Sequence, residues 1–272
     1  MHRCVERALT PWIALAGTSH PLGFAGLTLS LALAPSFGVR AAAIVTGVSA
    51  QGLGAAPDDA PIPRAAIDAA LIAAQFRAVA ELNPAAFHIG AQVDARAVRA
   101  VAQALAGWTV PVVVDPVIAA SGGRRLADDA TVAALCSELF ARATLLTPNL
   151  DEAELLLGAP VRGEAAMRAA GHALRERFGA GAVLVKGGHL PDAEATIYDV
   201  LVEGTQTHVL RGERQPGAMR GTGDALATAI AAHLARGVPL AAAVAHARTV
   251  VAGLIAHARS VGTMRIAPLG EV

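Results

Sequence analysis

Four short runs of apolar residues, separated by stretches with helical spacing, constrain this chain more than any other feature. The runs are Ala86–Ile89, Val110–Val114, Thr144–Leu146 and Ala182–Val185. Between and after them, Asp94–Leu105, Ala127–Phe140, Asp151–Leu157 and Glu164–Phe178 carry apolar residues at helical intervals. A strand that is apolar at nearly every position is buried on both faces, which is the pattern of parallel sheets. Alternation with helices then predicts an α/β fold, a central mostly parallel sheet with helices covering both faces. Ligands of such sheets bind beyond the carboxyl ends of the strands. Asp115, Asn149 and Lys186 fall at three of those ends, and Gly17 at the end of an earlier run, Trp12–Ala16.

The flanking segments extend the pattern. Leu27–Leu33 reads as a helix stopped by Pro35, and Ala41–Thr46 as a strand leading into a loop through Gln51. Asp58–Pro63 is an acidic, proline-bearing connection, and Arg64–Leu82 has the spacing of one long helix. Thr196–Leu201 and Thr205–Leu210 read as a hairpin turned at Glu203 and Gly204. Gly221–Ala235 and Pro239–His257 read as two alanine-rich helices. No repeat or linker divides the chain, so one domain spanning 1–272, with its core from about 12 to 258, is expected.

Composition excludes several roles. With 22 basic and 22 acidic residues the net charge is zero, and aromatics make up only 3%. Neither the basic surface nor the stacking platform of a nucleic-acid binder is present. Pro21–Val39 lacks charge, yet Pro21, Gly23, Gly26, Pro35 and Gly38 interrupt it. It therefore reads as a glycine-bearing loop and a buried helix rather than a membrane span. Cys4 and Cys136 form no metal spacing, and a reducing cytoplasm is the expected location.

Four segments carry chemistry. Gly221-Thr222-Gly223-Asp224 stands directly before an apolar helix. Glycines let a phosphate approach the backbone, the first-turn N–H groups point at it, and an aspartate there can take a proton from an attacking hydroxyl. The same residues also read as a plain helix cap, with Thr222 or Asp224 capping. Asn149-Leu150-Asp151-Glu152 offers oxygens for the waters of a magnesium ion, or a capping box between Asn149 and Glu152. Lys186-Gly187-Gly188-His189 could meet phosphate charge, or be a turn with a solvated lysine. Asp115-Pro116-Val117 sets a carboxylate at a strand end beside a stiffened loop. Neither a Walker-type loop nor a dinucleotide fingerprint occurs.

In this order, these segments resemble the hydroxymethylpyrimidine and phosphomethylpyrimidine kinases of thiamin biosynthesis, within the ribokinase-like superfamily. The resemblance rests on residues 112–117, Ser121-Gly122-Gly123, residues 145–154, residues 183–189 and residues 221–224, with looser matches at residues 16–18 and 45–51. It implies an ATP- and magnesium-dependent kinase, typically a homodimer, acting on a small heterocyclic alcohol. Residue by residue, it implies that Gly221, Thr222 and Gly223 form an anion hole and that Asp224 is the general base. Lys186, Asn149 and Gly187 would serve the nucleotide, and Glu152 and Asp115 the metal. Gln51, Gly17, Ala91 and Val117 would line the substrate pocket. Three departures from the family pattern stand out: Asp224 where these kinases carry cysteine, Ser30 where they carry an aspartate, and Ala91 where they often carry methionine. Pyridoxal or a sugar as substrate, and a non-catalytic sensor of a pyrimidine or nucleotide, are the alternatives.

Overall fold

A computed structural model describes residues 10–52, 62–119, 125–188 and 196–269. Cys4, most of the 58–63 connection, Ser121 to Gly123 and His189 lie outside the described residues. The chain begins with strand β1 (Trp12–Ser19), helix α1 (Gly26–Leu33), a short 3-10 turn at Ala34–Phe37, and strand β2 (Arg40–Ser49). The uncharged stretch is thus a loop and an eight-residue helix, and no helix of the described residues is long and apolar enough to cross a membrane.

Strand β3 (Arg64–Ala66) and helix α2 (Ala69–Ala80) follow. Helical spacing alone makes Arg64–Leu82 one helix, whereas the structure peels its first three residues away to pair antiparallel with β2. That pairing covers an edge of the sheet, and the Asp68 carboxylate, accepting from the Ala70 N–H at 2.8 Å, starts the helix after it.

The regular repeat comes next: β4 (Ala86–Ile89), α3 (Ala95–Ala104), β5 (Val112–Val114), α4 (Asp129–Ala134), β6 (Leu145–Leu146), α5 (Leu150–Leu157), α6 (Gly163–Phe178) and β7 (Ala182–Val185). Asp94, Asp128 and Asn149 cap α3, α4 and α5 through side-chain oxygens. The helix expected over Ala127–Phe140 changes pitch, passing into a π turn at Leu135–Leu139 and a 3-10 turn at Phe140–Arg142. The wider turn lets Leu135, Leu139 and Phe140 all reach the core.

Strands β8 (Thr196–Glu203) and β9 (Gln206–Glu213) form the expected hairpin, each longer than its sequence signal. Helices α7 (Thr222–Ala235) and α8 (Leu240–Ala256) then lead to a small hairpin of β10 (Arg259–Val261) and β11 (Met264–Ile266), whose three-residue strands give no period to read.

Nine strands make one sheet in the order β3-β2-β1-β4-β5-β6-β7-β8-β9. The six from β2 to β7 run parallel, and the others are antiparallel at the edges. One core layer, including Phe76, Phe87, Val101, Leu139 and Met167, packs α2 to α6 on one face. The other, including Leu15, Leu29, Ala229 and Val244, packs α1, α7 and α8 on the opposite face. Alanine dominates α7 because Ala225, Ala227, Ala229, Ala231 and Ala232 are all buried, and small side chains let that helix lie close to the sheet.

Candidate active site

Helix α7 aims its first turn at the carboxyl ends of β4, β5 and β7. Gly221 takes a left-handed conformation, with φ at 77°, and no side chain caps the helix. The capping reading of Thr222 and Asp224 therefore does not hold. A Cβ on Gly221 would meet Leu29 Cδ2 and lie 2.7 Å from the Phe24 carbonyl oxygen. A Cβ on Gly223 would lie 2.8 Å from Asp115 Oδ2 and 3.4 Å from Lys186 Nζ. The two glycines are thus required by close approach, and the second brings the helix onto the charged residues of β5 and β7.

Those charges form one network. Lys186 Nζ donates to Asp115 Oδ1 at 2.7 Å, with side chains 14% and 3% exposed. The Thr147 hydroxyl donates to the same oxygen at 3.0 Å. Lys186 is therefore a largely covered ion-pair member, not a solvated turn residue. Burial opposes its charge, but the carboxylates of Asp115, Glu152 and Asp224 outweigh that and raise its pKa. Glu152 closes a complete capping box: its Oε2 accepts from the Asn149 N–H at 2.8 Å, and Asn149 Oδ1 accepts from the Glu152 N–H at 2.9 Å. The Ile118 N–H also donates to Glu152, at 3.3 Å. Burial pushes the Glu152 carboxyl up to about 7, with Lys186 pulling down and Asp115 pushing up.

The capping box is thus present, and its Glu152 also joins the charge network. A bridge pairs Asn149 with Lys186, and the Lys186 N–H donates to the Pro148 carbonyl at 2.8 Å, so the two strand ends are tied directly. Among the described residues, no group of three or more His, Cys, Asp or Glu forms a ready metal cage. Asp115 and Glu152 nevertheless suit magnesium, which takes one or two carboxylates and completes its shell with water and phosphate.

Asp224 sits in the first turn of α7, half-buried. Its Oδ2 accepts from the Gly26 N–H, at the head of α1, at 2.9 Å. Burial, aided by the charge of Asp115, raises its carboxyl to about 6, while the Gly26 N–H, Lys186 and Arg220 work the other way. Beside it lies a cavity of about 10 Å³ lined by Gly17, Gly26, Ser30, His88, Gly90, Ala91 and Asp224, among others. Gly17 and Ala91 thus both line that cavity. The Thr18 N–H and hydroxyl both donate to the Ala91 carbonyl, at 3.0 and 2.8 Å, which ties β1 to that wall. Val117 is half-buried on the β5 loop, outside that cavity, its N–H donating to the Asp115 carbonyl at 2.9 Å. Gln51 accepts from the Arg220 guanidinium. Gly187 donates its N–H to Asp199 Oδ1 at 2.6 Å, and Asp199 in turn pairs with Arg248 of α8 at 2.6 Å.

Sequence reasoning missed His88, Arg220, Thr228 and Asp199. His88 could have been noticed as the one polar residue inside an apolar strand, and Asp199 as a carboxylate directly before the apolar run Val200–Val202. Arg220 gave no signal: its N–H donates to the Arg265 carbonyl at 2.9 Å, so the unforeseen C-terminal hairpin braces the residue before Gly221.

Comparison with known proteins shows the family. The phosphomethylpyrimidine kinase family model matches residues 21–269. A hydroxymethylpyrimidine/phosphomethylpyrimidine kinase of Rhizobium meliloti is 36% identical over 251 residues, 90% of each chain. One of Mycobacterium bovis is 37% identical over 232 residues, 83% of this chain and 80% of its own. A phosphomethylpyrimidine kinase structure from Clostridium difficile superposes with a TM-score of 0.77 at 26% identity, covering 90% of this chain and 99% of that one. A pyridoxal kinase of Bacillus subtilis in complex with ADP gives 0.85 at 23% identity over 95% and 97%, a likeness of fold alone. The buried network at the strand ends, the glycine-led helix above it and these matches over most of the length lead to one conclusion: the chain belongs to the phosphomethylpyrimidine kinase family.

Proposed function

We propose that this kinase transfers the γ-phosphoryl group of ATP, with magnesium, to the hydroxymethyl oxygen of 4-amino-5-hydroxymethyl-2-methylpyrimidine, and then phosphorylates the resulting monophosphate, in thiamin biosynthesis. The observation that carries this reading is Asp224: a half-buried carboxylate, raised by desolvation to about 6, in the glycine-led first turn of α7 beside the Lys186–Asp115 pair. A base is most useful when its pKa lies near the working pH, and this one is ionised at neutrality yet basic enough to accept a proton.

In the first step the substrate O–H bond breaks and its proton passes to Asp224. The oxygen bonds to the γ-phosphorus as the bond from that phosphorus to the bridging oxygen breaks, and ADP leaves. The N–H groups of Gly221, Thr222 and Gly223 face the equatorial oxygens, and Lys186 adds positive charge beside them. Asp115 and Glu152 would hold the magnesium, which supplies charge against the phosphates. Asn149 and Gly187 belong to the nucleotide side, with Asp199 and Arg248 anchoring Gly187. Gly17, Ala91, Val117 and Gln51 belong to the substrate side.

A single kinase domain, a homodimer as in the resembled family, and a cytoplasmic location complete the proposal. Sedimentation equilibrium tests the dimer. The activity is tested by ATP consumption against the pyrimidine alcohol, its monophosphate, pyridoxal and ribose, with Asp224→Asn as the blank. Turnover of the pyrimidine that vanishes in the blank supports the reading. Turnover of pyridoxal or ribose alone moves the substrate, and silence on all four with nucleotide still bound replaces the kinase by a sensor.

A further inference from the structure

Two buried polar atoms face the cavity beside Asp224 without a partner among the described residues: Nε2 of His88, a residue 3% exposed, and Oγ of Ser30, 1% exposed. Such atoms are costly to leave unpaired, so each calls for a ligand group or an ordered water. The chemistry of the His88 atom follows from its neighbours. Thr228 sits one helical turn beyond Asp224, and its only hydroxyl hydrogen goes to the Asp224 carbonyl, at 2.7 Å. When His88 Nδ1 meets the same hydroxyl oxygen, at 3.1 Å, the imidazole must therefore be the donor. The proton lies on Nδ1, and Nε2 presents a bare lone pair to the cavity. Burial holds the ring neutral, its pKa lowered to about 4, with Asp115 pulling upward and Lys186 downward.

The cavity wall thus carries two acceptors side by side. A point at the ideal Cβ position of Gly90 lies 3.6 Å from His88 Nε2 and 3.7 Å from Asp224 Oδ1. Only the absence of a side chain at Gly90 keeps that space open, and about 10 Å³ admits a group the size of one water or one amine. Asp224 is committed to the hydroxymethyl O–H of the substrate. What sits next to it should be a second donor, carried by the ring atom adjacent to the hydroxymethyl group.

We propose that His88 is a specificity-determining residue: its Nε2 accepts a hydrogen bond from an exocyclic amine adjacent to the reacting hydroxymethyl group. This inference rests on the kinase reading above and sharpens it. The pyrimidine alcohol carries an amine at that position. Pyridoxal carries a formyl group there, an acceptor that would face the His88 lone pair with no hydrogen between them. Ser30, whose hydroxyl both donates and accepts, can serve the same amine or the ring nitrogen beside it.

The test compares the aminopyrimidine alcohol, the same compound lacking its amino group, and pyridoxal, at saturating ATP and magnesium. In the unaltered enzyme kcat/KM for the amine should exceed that for the other two by about ten- to a hundredfold, since a polar site rejects a ligand that leaves its atom unpaired. His88→Phe removes the acceptor, and Gly90→Ala fills the space. The Ala Cβ would make only ordinary contacts, the nearest at 3.6 Å, so this second variant keeps its fold. Both should bring the ratio to within about threefold of one, leave KM for ATP within about twofold, and keep the thermal shift produced by ADP. A ratio unchanged in folded Gly90→Ala and His88→Phe, with the unaltered enzyme active, overturns the inference and leaves the kinase reading standing. Failure of the unaltered enzyme to phosphorylate any hydroxymethylpyrimidine overturns both.

Discussion

Asp224→Asn separates the catalytic from the structural consequences of desolvating a carboxylate. The carboxyl titrates at about 6 in the folded protein, against an ordinary 3.8. Below about pH 4 it is protonated in both folded and unfolded chains and folding bears no penalty. Above about pH 6 it is ionised in both, and the folded state alone holds the charge in a desolvated place. A difference of about two pH units makes that cost about 3 kcal/mol at pH 8. Asparagine keeps the shape and an oxygen to accept from the Gly26 N–H, but carries no charge. The variant should thus be more stable than the unaltered protein by up to about 3 kcal/mol at pH 8, or roughly 6 °C in Tm, with the gain fading to nothing near pH 4. Its turnover should fall by about two to four orders of magnitude, the worth of a general base. Thermal melts from pH 4 to 8.5, paired with coupled-assay kinetics at pH 7.5, read both quantities. A gain that does not vary with pH refutes the buried-charge argument, and turnover within tenfold of normal refutes the base.

Other perturbations follow from the same network. Lys186→Met leaves Asp115 charged, buried and held by Thr147 alone among the side chains, so it should destabilise by about 3–5 kcal/mol on chemical denaturation. Adding Asp115→Asn should restore much of that stability but none of the turnover; stability lost additively in the pair would contradict the coupling. Gly221→Ala forces a left-handed φ of 77° on a side chain that meets Leu29 and the Phe24 carbonyl, and should cost about 2–3 kcal/mol together with most of the activity. In the free enzyme, kcat/KM should fall about tenfold per pH unit below pH 6 as Asp224 becomes protonated; a flat profile down to pH 5 would show that its carboxylate is not the base.

Much of the candidate site was legible because its residues stand where local chemistry announces them. Asp115, Asn149 and Lys186 interrupt apolar text at strand ends, and Gly221 to Asp224 open a helix with no other reason to begin on two glycines. His88 was not, because a histidine in a buried strand looks the same in sequence whether its second nitrogen is satisfied or bare. The strand at Arg64–Ala66 was hidden for a related reason: three residues are too few to show a period, and only the open edge of β2 gives them a partner.

Sequence by itself determined the layering, since each apolar run and each helical stretch states which faces must be buried. It also determined the residue types brought to the strand ends, because the period that buries one segment exposes the residue that terminates it. Tertiary structure alone decided the states of those residues. Lys186 becomes an ion-pair member only because β5 and β7 end beside each other, and the Asp224 carboxyl is raised to about 6 only because α1 and α7 close over it. Desolvation and charge coupling depend on what surrounds a group in three dimensions, and residues 115, 186 and 224 are neighbours nowhere but in the fold.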